Sequence, residues 1–287
     1  MVLGVQKTYK LFLNGQFVRS ESGRSSPWLD GRGRVFAQVP RASKKDLRDA
    51  VRGAKTAQAR WASASAYLRG QILYRLAEML EGRGEALVEL LTVAPGGNRR
   101  QARREVRASI DRVVHYAGWT DKYPALLSSV NPVASSYFNF SFPQPLGVVG
   151  VVAPEEPALL GLVTWLLPVL ATGNVAVVLL SEQQPLPGLE LAEALATCDL
   201  PAGVVSLLSG QKAELLPQLA RHLEVRGLVL PERGGEGTLL QAEQDAACNV
   251  KRIVGWEVPR PFSESAQGLR FLRELVEIQT TWHPVGW

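Results

Sequence analysis

The pattern of apolar and polar positions divides the chain into a helical first third, an alternating middle and a short closing segment. Lys10 to Leu13, Asn14-Gly15 and Gln16 to Val18 read as strand, type I′ turn and strand, because Asn-Gly tolerates the positive φ angles that turn needs. Gly31 and Gly33 predict another turn between Trp28 and Val39. Ser43-Lys44-Lys45-Asp46 is a capping box, and the helix behind it places Leu47, Val51, Ala54 and Trp61 on one face. Leu68, Ile72, Leu76 and Leu80 mark a second helix. Val106, Ile110, Val113, Val114 and Ala117 mark a third, after a loop at Ala94 to Asn98. From Ser135 to Phe142 the period becomes two: Phe138, Phe140 and Phe142 alternate with Asn139 and Ser141, which predicts a strand with one apolar face.

From Gly147 near-continuous apolar runs alternate with helical ones. Strands are predicted at Val148 to Ala153, Val175 to Leu180, Val204 to Leu208 and Leu228 to Leu230; helices at Ala158 to Ala171, Gly188 to Ala196 and Glu214 to His222. Strands apolar on both faces and separated by helices are βαβ units, so the expected fold is α/β: a Rossmann-like, doubly wound parallel sheet with a helical region before it. Ala266 to Leu275 reads as a helix, and Val276, Ile278, Thr280 and Trp282 alternate with polar residues as a final strand.

Composition changes this picture little. Across 287 residues, 46% are hydrophobic and 21% charged, which are globular values, and the net charge of +5 is a weak argument for a nucleic-acid partner. The Ala158 to Ala171 run is too short to span a bilayer, and the start lacks a signal-peptide pattern, so a cytoplasmic protein is expected. Cys198 and Cys248 fit no zinc spacing or nucleophile motif, and His115, His222 and His283 form no metal constellation. Arg99, Arg100, Arg103, Arg104 and Arg107 form a basic helical stripe without interleaved aromatics, which reads as a solvated face rather than an RNA site.

A parallel α/β core gathers ligands at the carboxyl ends of its strands. After the first core strand comes Glu155-Glu156, two carboxylates that could serve acid–base chemistry; neighbours in an extended loop usually point apart, so a solvated loop is the favoured reading. After the second comes Ser181-Glu182, where the carboxylate is either a ribose partner or a helix-capping or surface group. Gly210-Gln211-Lys212 follows the third, where the glycine allows a tight turn open to a phosphate, and a plain strand-to-helix turn is the favoured reading. Pro231 to Gly237, with Gly234, Gly235 and Gly237, follows the fourth. Glycines before a helix can cradle a phosphate, but this run lacks GxGxxG spacing and carries Glu232 and Glu236, which oppose an anion, so a flexible loop is the favoured reading.

These residues together resemble the aldehyde dehydrogenase superfamily. The matches are Leu11 to Gly15, Tyr116-Ala117-Gly118-Trp119-Thr120-Asp121-Lys122, Pro145 to Pro154, Leu200 to Val205 and Glu277 to Trp282. The resemblance implies a cofactor-binding core over residues 1–262, with a β-arm at about 131–146, followed by a C-terminal helix and oligomerisation strand over 263–287. The departures matter more. Where the family carries Trp-Asn, whose Asn holds the substrate oxyanion, this chain has Glu155 and Glu156, and a carboxylate would repel that charge. Of the family's ribose-contacting Lys-Pro-Ser-Glu only Ser181 and Glu182 persist, after Leu179-Leu180. Leu230-Pro231-Glu232-Arg233 replaces Phe-Thr-Gly-Ser, and neither Glu-Leu-Gly-Gly-Lys nor Gly-Gln-x-Cys occurs. The chain thus resembles the degenerate second half of a family 16 aldehyde dehydrogenase without its catalytic domain. The implied function is a pseudoenzyme module for dimerisation and protein interaction, with no catalytic residue, no metal and no cofactor. The alternative is an NAD- or NADP-binding sensor, or a residual oxidoreductase acting on aldehydes. The implied homodimer interface uses Phe138, Phe140, Phe142, Val276, Ile278 and Trp282; other protein partners are expected, while nucleic acid and membrane are not.

Overall fold

The computed structural model describes residues 6–231, 238–258 and 260–286. Lys7–Thr8 (β1) precedes the hairpin Leu11–Leu13 (β2) and Gln16–Val18 (β3). Asn14 and Gly15 turn that hairpin at φ 54° and 80°, the two positive angles a type I′ turn requires. The region expected as a turn at Gly31 and Gly33 is a full hairpin, Ser25–Leu29 (β4) and Val35–Pro40 (β5), with β1 parallel to β5 in one small sheet.

Five helices follow: Lys44–Ser63 (α1), Ala66–Gly82 (α2), Gly84–Val93 (α3), Arg99–Ala117 (α4) and Lys122–Leu127 (α5). Periodicity predicts α1, α2 and α4. It does not separate α3 from α2, because Arg83 alone lies between them. The capping box is made in both directions: the Ser43 hydroxyl accepts from the Lys45 and Asp46 amides, and the Asp46 carboxylate accepts from the Ser43 amide.

Ser129–Asn131 (β6) and Tyr137–Pro145 (β7) form the arm. The core then alternates Val148–Val152 (β8), Ala158–Ala171 (α6), Val175–Leu179 (β9), Leu186–Leu195 (α7), Val205–Leu208 (β10), Lys212–Arg221 (α8) and Val225–Pro231 (β11). Thr238–Ala246 (α9), Arg252–Trp256 (β12), Leu269–Arg273 (α10) and Val276–Pro284 (β13) complete the chain. The helix expected over Ala266 to Leu275 is shorter, because Gly268 at φ 114° separates a single 3-10 turn from α10.

The main sheet has the order β12-β11-β8-β9-β10-β2-β3. β12 to β10 are parallel, and the β2–β3 hairpin closes the β10 edge antiparallel. Strand order runs outward from β8 in both directions, so the topological switch point lies beside β8 and β11. β12 is a fifth core strand that the hydropathy pattern does not announce, since polar Lys251, Arg252 and the small Gly255 dilute its apolar pair. Every residue of α6 is buried, which accounts for a helix apolar all round. Among the described residues no helix is long and apolar enough to cross a membrane.

β13 pairs antiparallel with β7 from Val276↔Pro145 to Pro284↔Tyr137, and β7 also pairs with β6. This register sets which face of the arm each of the expected interface residues occupies. Phe138, Phe140 and Phe142 stand opposite His283, Thr281 and Gln279, whereas Trp282 stands opposite Asn139 and Ile278 opposite Pro143. The phenylalanines and the Ile278/Trp282 pair therefore occupy opposite faces of the arm. Val276 is 3% exposed and belongs to the core, so it is not available to a partner.

Candidate functional site

The carboxyl edge of the parallel sheet brings together the residues after β8, β9 and β10. Glu155 and Glu156 do point apart: Glu156 is exposed, while Glu155 is half-buried and turns toward β9. There Glu155 accepts from the Ser181 hydroxyl at 2.6 Å and from the Gln183 amide at 3.0 Å. Glu155 is thus an anchored group, not a solvated one. Its other oxygen meets the ammonium of Lys212, which also donates to the Ala153 carbonyl at 2.7 Å. Burial raises the Glu155 carboxyl, but the donors Lys212, Ser181 and Gln183 together outweigh it and hold the group below its ordinary value.

The sequence left Glu182 open between ribose partner and cap. Its carboxylate accepts the backbone amide of Lys212 at 2.5 Å, at the start of α8. The Ser181 hydroxyl accepts from the Gln184 amide at 2.9 Å, just ahead of α7. At α6 the cap comes from a residue with no local signature. Glu105 of α4 accepts from the Leu159 and Leu160 amides at 2.8 and 3.1 Å. Burial pushes its carboxyl above the ordinary range against the pull of those amides, and Glu156 adds repulsion. Helix N-termini are where a dinucleotide-binding fold presents free N–H groups to phosphate. At α6 and α8 such groups are already taken by Glu105 and by Glu182, and Glu155 and Ser181 hold the Gln183 and Gln184 amides in the loop before α7.

The space left beside Ser181 and Glu182 is a cleft of about 140 Å³, lined also by Trp28, Arg41 and Gly210. Small-molecule sites usually measure about 300–1,000 Å³. Two cross-links narrow it: the Trp28 indole donates to the Gln183 carbonyl at 2.9 Å, and Arg41 donates to the Gln211 side chain at 2.7 Å. Gly210, at φ 154°, lies against the Ala42 backbone, where a Cβ would come within 3.2 Å of the amide nitrogen. The glycine at this turn serves close packing of two backbones. The Glu232 to Gly237 segment lies outside the described residues.

Neither cysteine lines this cleft. Cys198 is buried behind α7, its thiol donates to the Leu195 carbonyl, and burial pushes its pKa up to about 11, so it is protonated at neutral pH. Cys248 is exposed beyond α9. Among the described residues no group of three His, Cys, Asp or Glu is placed to hold a metal ion. Trp119 is half-buried and its ring lies 5.9 Å from that of His115.

The aldehyde dehydrogenase family model matches residues 17–254. "Aldehyde dehydrogenase family 2 member B4, mitochondrial" from Arabidopsis thaliana is 34% identical over 220 residues, which cover 75% of this chain and 40% of that protein. Retinal dehydrogenase 2 from Gallus gallus is 30% identical over 252 residues, covering 86% of this chain and 48% of the relative. Among solved structures, the NAD+ complex of an aldehyde dehydrogenase from Bacillus cereus aligns with a TM-score of 0.80 at 26% identity, over 86% of this chain and 50% of that one. HpcC from Thermus thermophilus aligns at 0.81 and 28%, over 87% and 48%. The chain therefore spans about half the length of the proteins it matches. With a Rossmann-like sheet in place and the family model matched from the first hairpin to the fifth parallel strand, the chain belongs to the aldehyde dehydrogenase family.

Proposed function

We propose that this chain is a non-catalytic aldehyde-dehydrogenase-like module that dimerises and engages other proteins, and that it carries no nicotinamide cofactor. One observation carries the reading: the starts of α6 and α8 and the loop ahead of α7 are occupied by the chain's own Glu105, Glu182, Glu155 and Ser181. A pyrophosphate and ribose would have to displace two carboxylates and break the Glu155–Lys212 pair before making any contact of their own. Among the described residues, those at the ends of β8, β9 and β10 do not fit a dinucleotide. The missing Gly-Gln-x-Cys and Glu-Leu-Gly-Gly-Lys motifs point the same way.

The arm supports the assembly half of the reading. β13 and β6 are the edges of its sheet, so the nine-residue β13 offers an unpaired ladder to another strand. Phe138, Ile278 and Trp282 are 46%, 51% and 57% exposed, and the Phe138, Phe140 and Phe142 rings pack in a row with centroids 5.3 and 5.7 Å apart. Apolar rows of this kind beside an open edge belong under a second subunit.

Calorimetry with NAD and NADP is expected to give no saturable heat. Saturable binding in the micromolar range, weakened by Glu182→Ala, would replace this reading with the cofactor-binding sensor. Light scattering is expected to give a dimer or larger, and I278K/W282K to give a monomer; a monomeric unaltered protein would remove the assembly role.

A further inference from the structure

The arginine stripe on α4 acquires in three dimensions what it lacks in sequence. Arg99, Arg100, Arg103, Arg104 and Arg107 line one side of an open groove, and the segment ahead of α10 folds Phe262 against them. The Arg104 guanidinium carbon lies 4.3 Å from the centre of the Phe262 ring. The groove measures about 1040 Å³, far larger than the cleft beside Glu182.

The five cations are not equivalent. Arg99 and Arg103 are engaged by Glu85 at 2.7 and 3.5 Å. Among the described residues the side chains of Arg100 and Arg107 have no ion pair or hydrogen bond, and that of Arg104 has only its ring contact. Arg100, Arg104 and Arg107 fall at i, i+4 and i+7, so they share one face within about 10.5 Å of helix rise. Carboxylates on a facing helix repeat at the same intervals. The cations are all arginine, whose planar fork takes a carboxylate through two hydrogen bonds.

The stripe is also short and fenced. Asp111, one turn beyond Arg107, lines one end of the groove, and Glu85 stands at its flank. A nucleic-acid backbone needs a continuing cationic track and gains affinity from each phosphate neutralised. Here it would run onto carboxylates within two turns. A short acidic segment fits between them.

We infer that this groove docks an acidic helical segment of a partner protein, with Arg100, Arg104 and Arg107 taking its carboxylates and Phe262 packing against an apolar neighbour. This extends the protein-interaction half of the proposed function and does not depend on dimerisation or on the state of the cofactor site.

The test is fluorescence anisotropy of the full chain with a labelled alanine-based peptide carrying glutamates at i, i+4 and i+7. The same peptide with lysines and an oligouridylate of equal charge serve as comparisons. Saturable, salt-sensitive binding of the acidic peptide is expected. R100Q/R104Q/R107Q should weaken it at least about tenfold, with an unchanged thermal transition because none of the three side chains is buried. No saturable binding, or equal binding by the triple variant, would overturn the inference. Tighter binding of the oligouridylate would overturn it in favour of a nucleic-acid surface. Light scattering on the same samples separates this outcome from a failure of the dimer reading, since the triple variant leaves the arm untouched.

Discussion

Arg112 is a buried cation with three oxygens around it and no carboxylate among its hydrogen-bond partners. It donates to the Thr164 hydroxyl at 2.6 Å and to the Ala266 and Pro261 carbonyls at 2.8 and 2.9 Å, so one side chain of α4 ties α6 to the segment ahead of α10. Arg112→Met fills the space but leaves those acceptors without donors, and urea unfolding should register a loss of about 2–4 kcal/mol. Glu155 makes a different, pH-dependent contribution. Its folded pKa lies below the ordinary value of 4.5, so the folded state binds fewer protons than the unfolded state in that range. The stability it contributes is present above about pH 4.5 and is lost as pH falls through the folded value. Denaturation midpoints of the unaltered protein and Glu155→Gln should therefore differ at pH 7 and converge as pH falls below the ordinary value of 4.5. Parallel curves across that range would show that the carboxylate is not held by Lys212, Ser181 and Gln183.

At the level of elements, the cap of α1 separates what a local pattern specifies from what only packing can. Ser43→Ala removes one capping acceptor and should cost about 1 kcal/mol. Asp46 also accepts from the Ser20 hydroxyl at 2.8 Å and the Glu21 amide at 3.1 Å, so it fastens the segment after β3 to the helix. Asp46→Ala should cost about 2–3 kcal/mol in the same denaturation assay; equal losses for the two variants would mean that the long-range bonds add nothing. The cap, the Asn14-Gly15 turn and the βαβ alternation were legible because each is encoded within a few neighbouring residues. The faces of the arm were not. Each strand shows its own alternation, but which face meets which is set by the β7–β13 register, and a one-residue slip inverts it. Likewise Ser181 and Glu182 were found by position. Their partners Glu155 and Lys212, and the capping of α6 by Glu105, depend on residues far along the chain and left no local signature.

At the scale of the whole molecule, the closing segment is part of the main body even though it ends in the arm. Phe271, Leu272, Leu275 and Val276 are buried in the same core as the parallel strands, and Trp256 stacks edge-on between Phe271 and Trp165 at 4.8 and 6.1 Å. Polar ties run the same way: the Asn174 amide nitrogen donates to the Leu275 carbonyl at 2.8 Å, and Arg252 of β12 donates to the Val276 carbonyl at 2.7 Å. Removing residues 269–287 would strip four apolar side chains from the core, each worth about 1.5–3 kcal/mol on burial. It would also orphan the Asn174 amide and the outer face of β7. That sum is comparable to the entire stability of an ordinary domain, about 5–15 kcal/mol. Ending the chain at Gly268 is therefore expected to abolish the cooperative transition and the near-ultraviolet circular dichroism of the tryptophans. A chain ending after Gln279 keeps the four core residues and sheds only the distal strand. It should keep the transition while losing the edge that β13 offers to a second copy, and light scattering would read it as a folded monomer. If the chain ending at Gly268 melted like the full protein, the closing segment would be an appended interface element rather than part of the core. If the chain ending at Gln279 remained dimeric, the assembly surface would lie outside the distal half of β13.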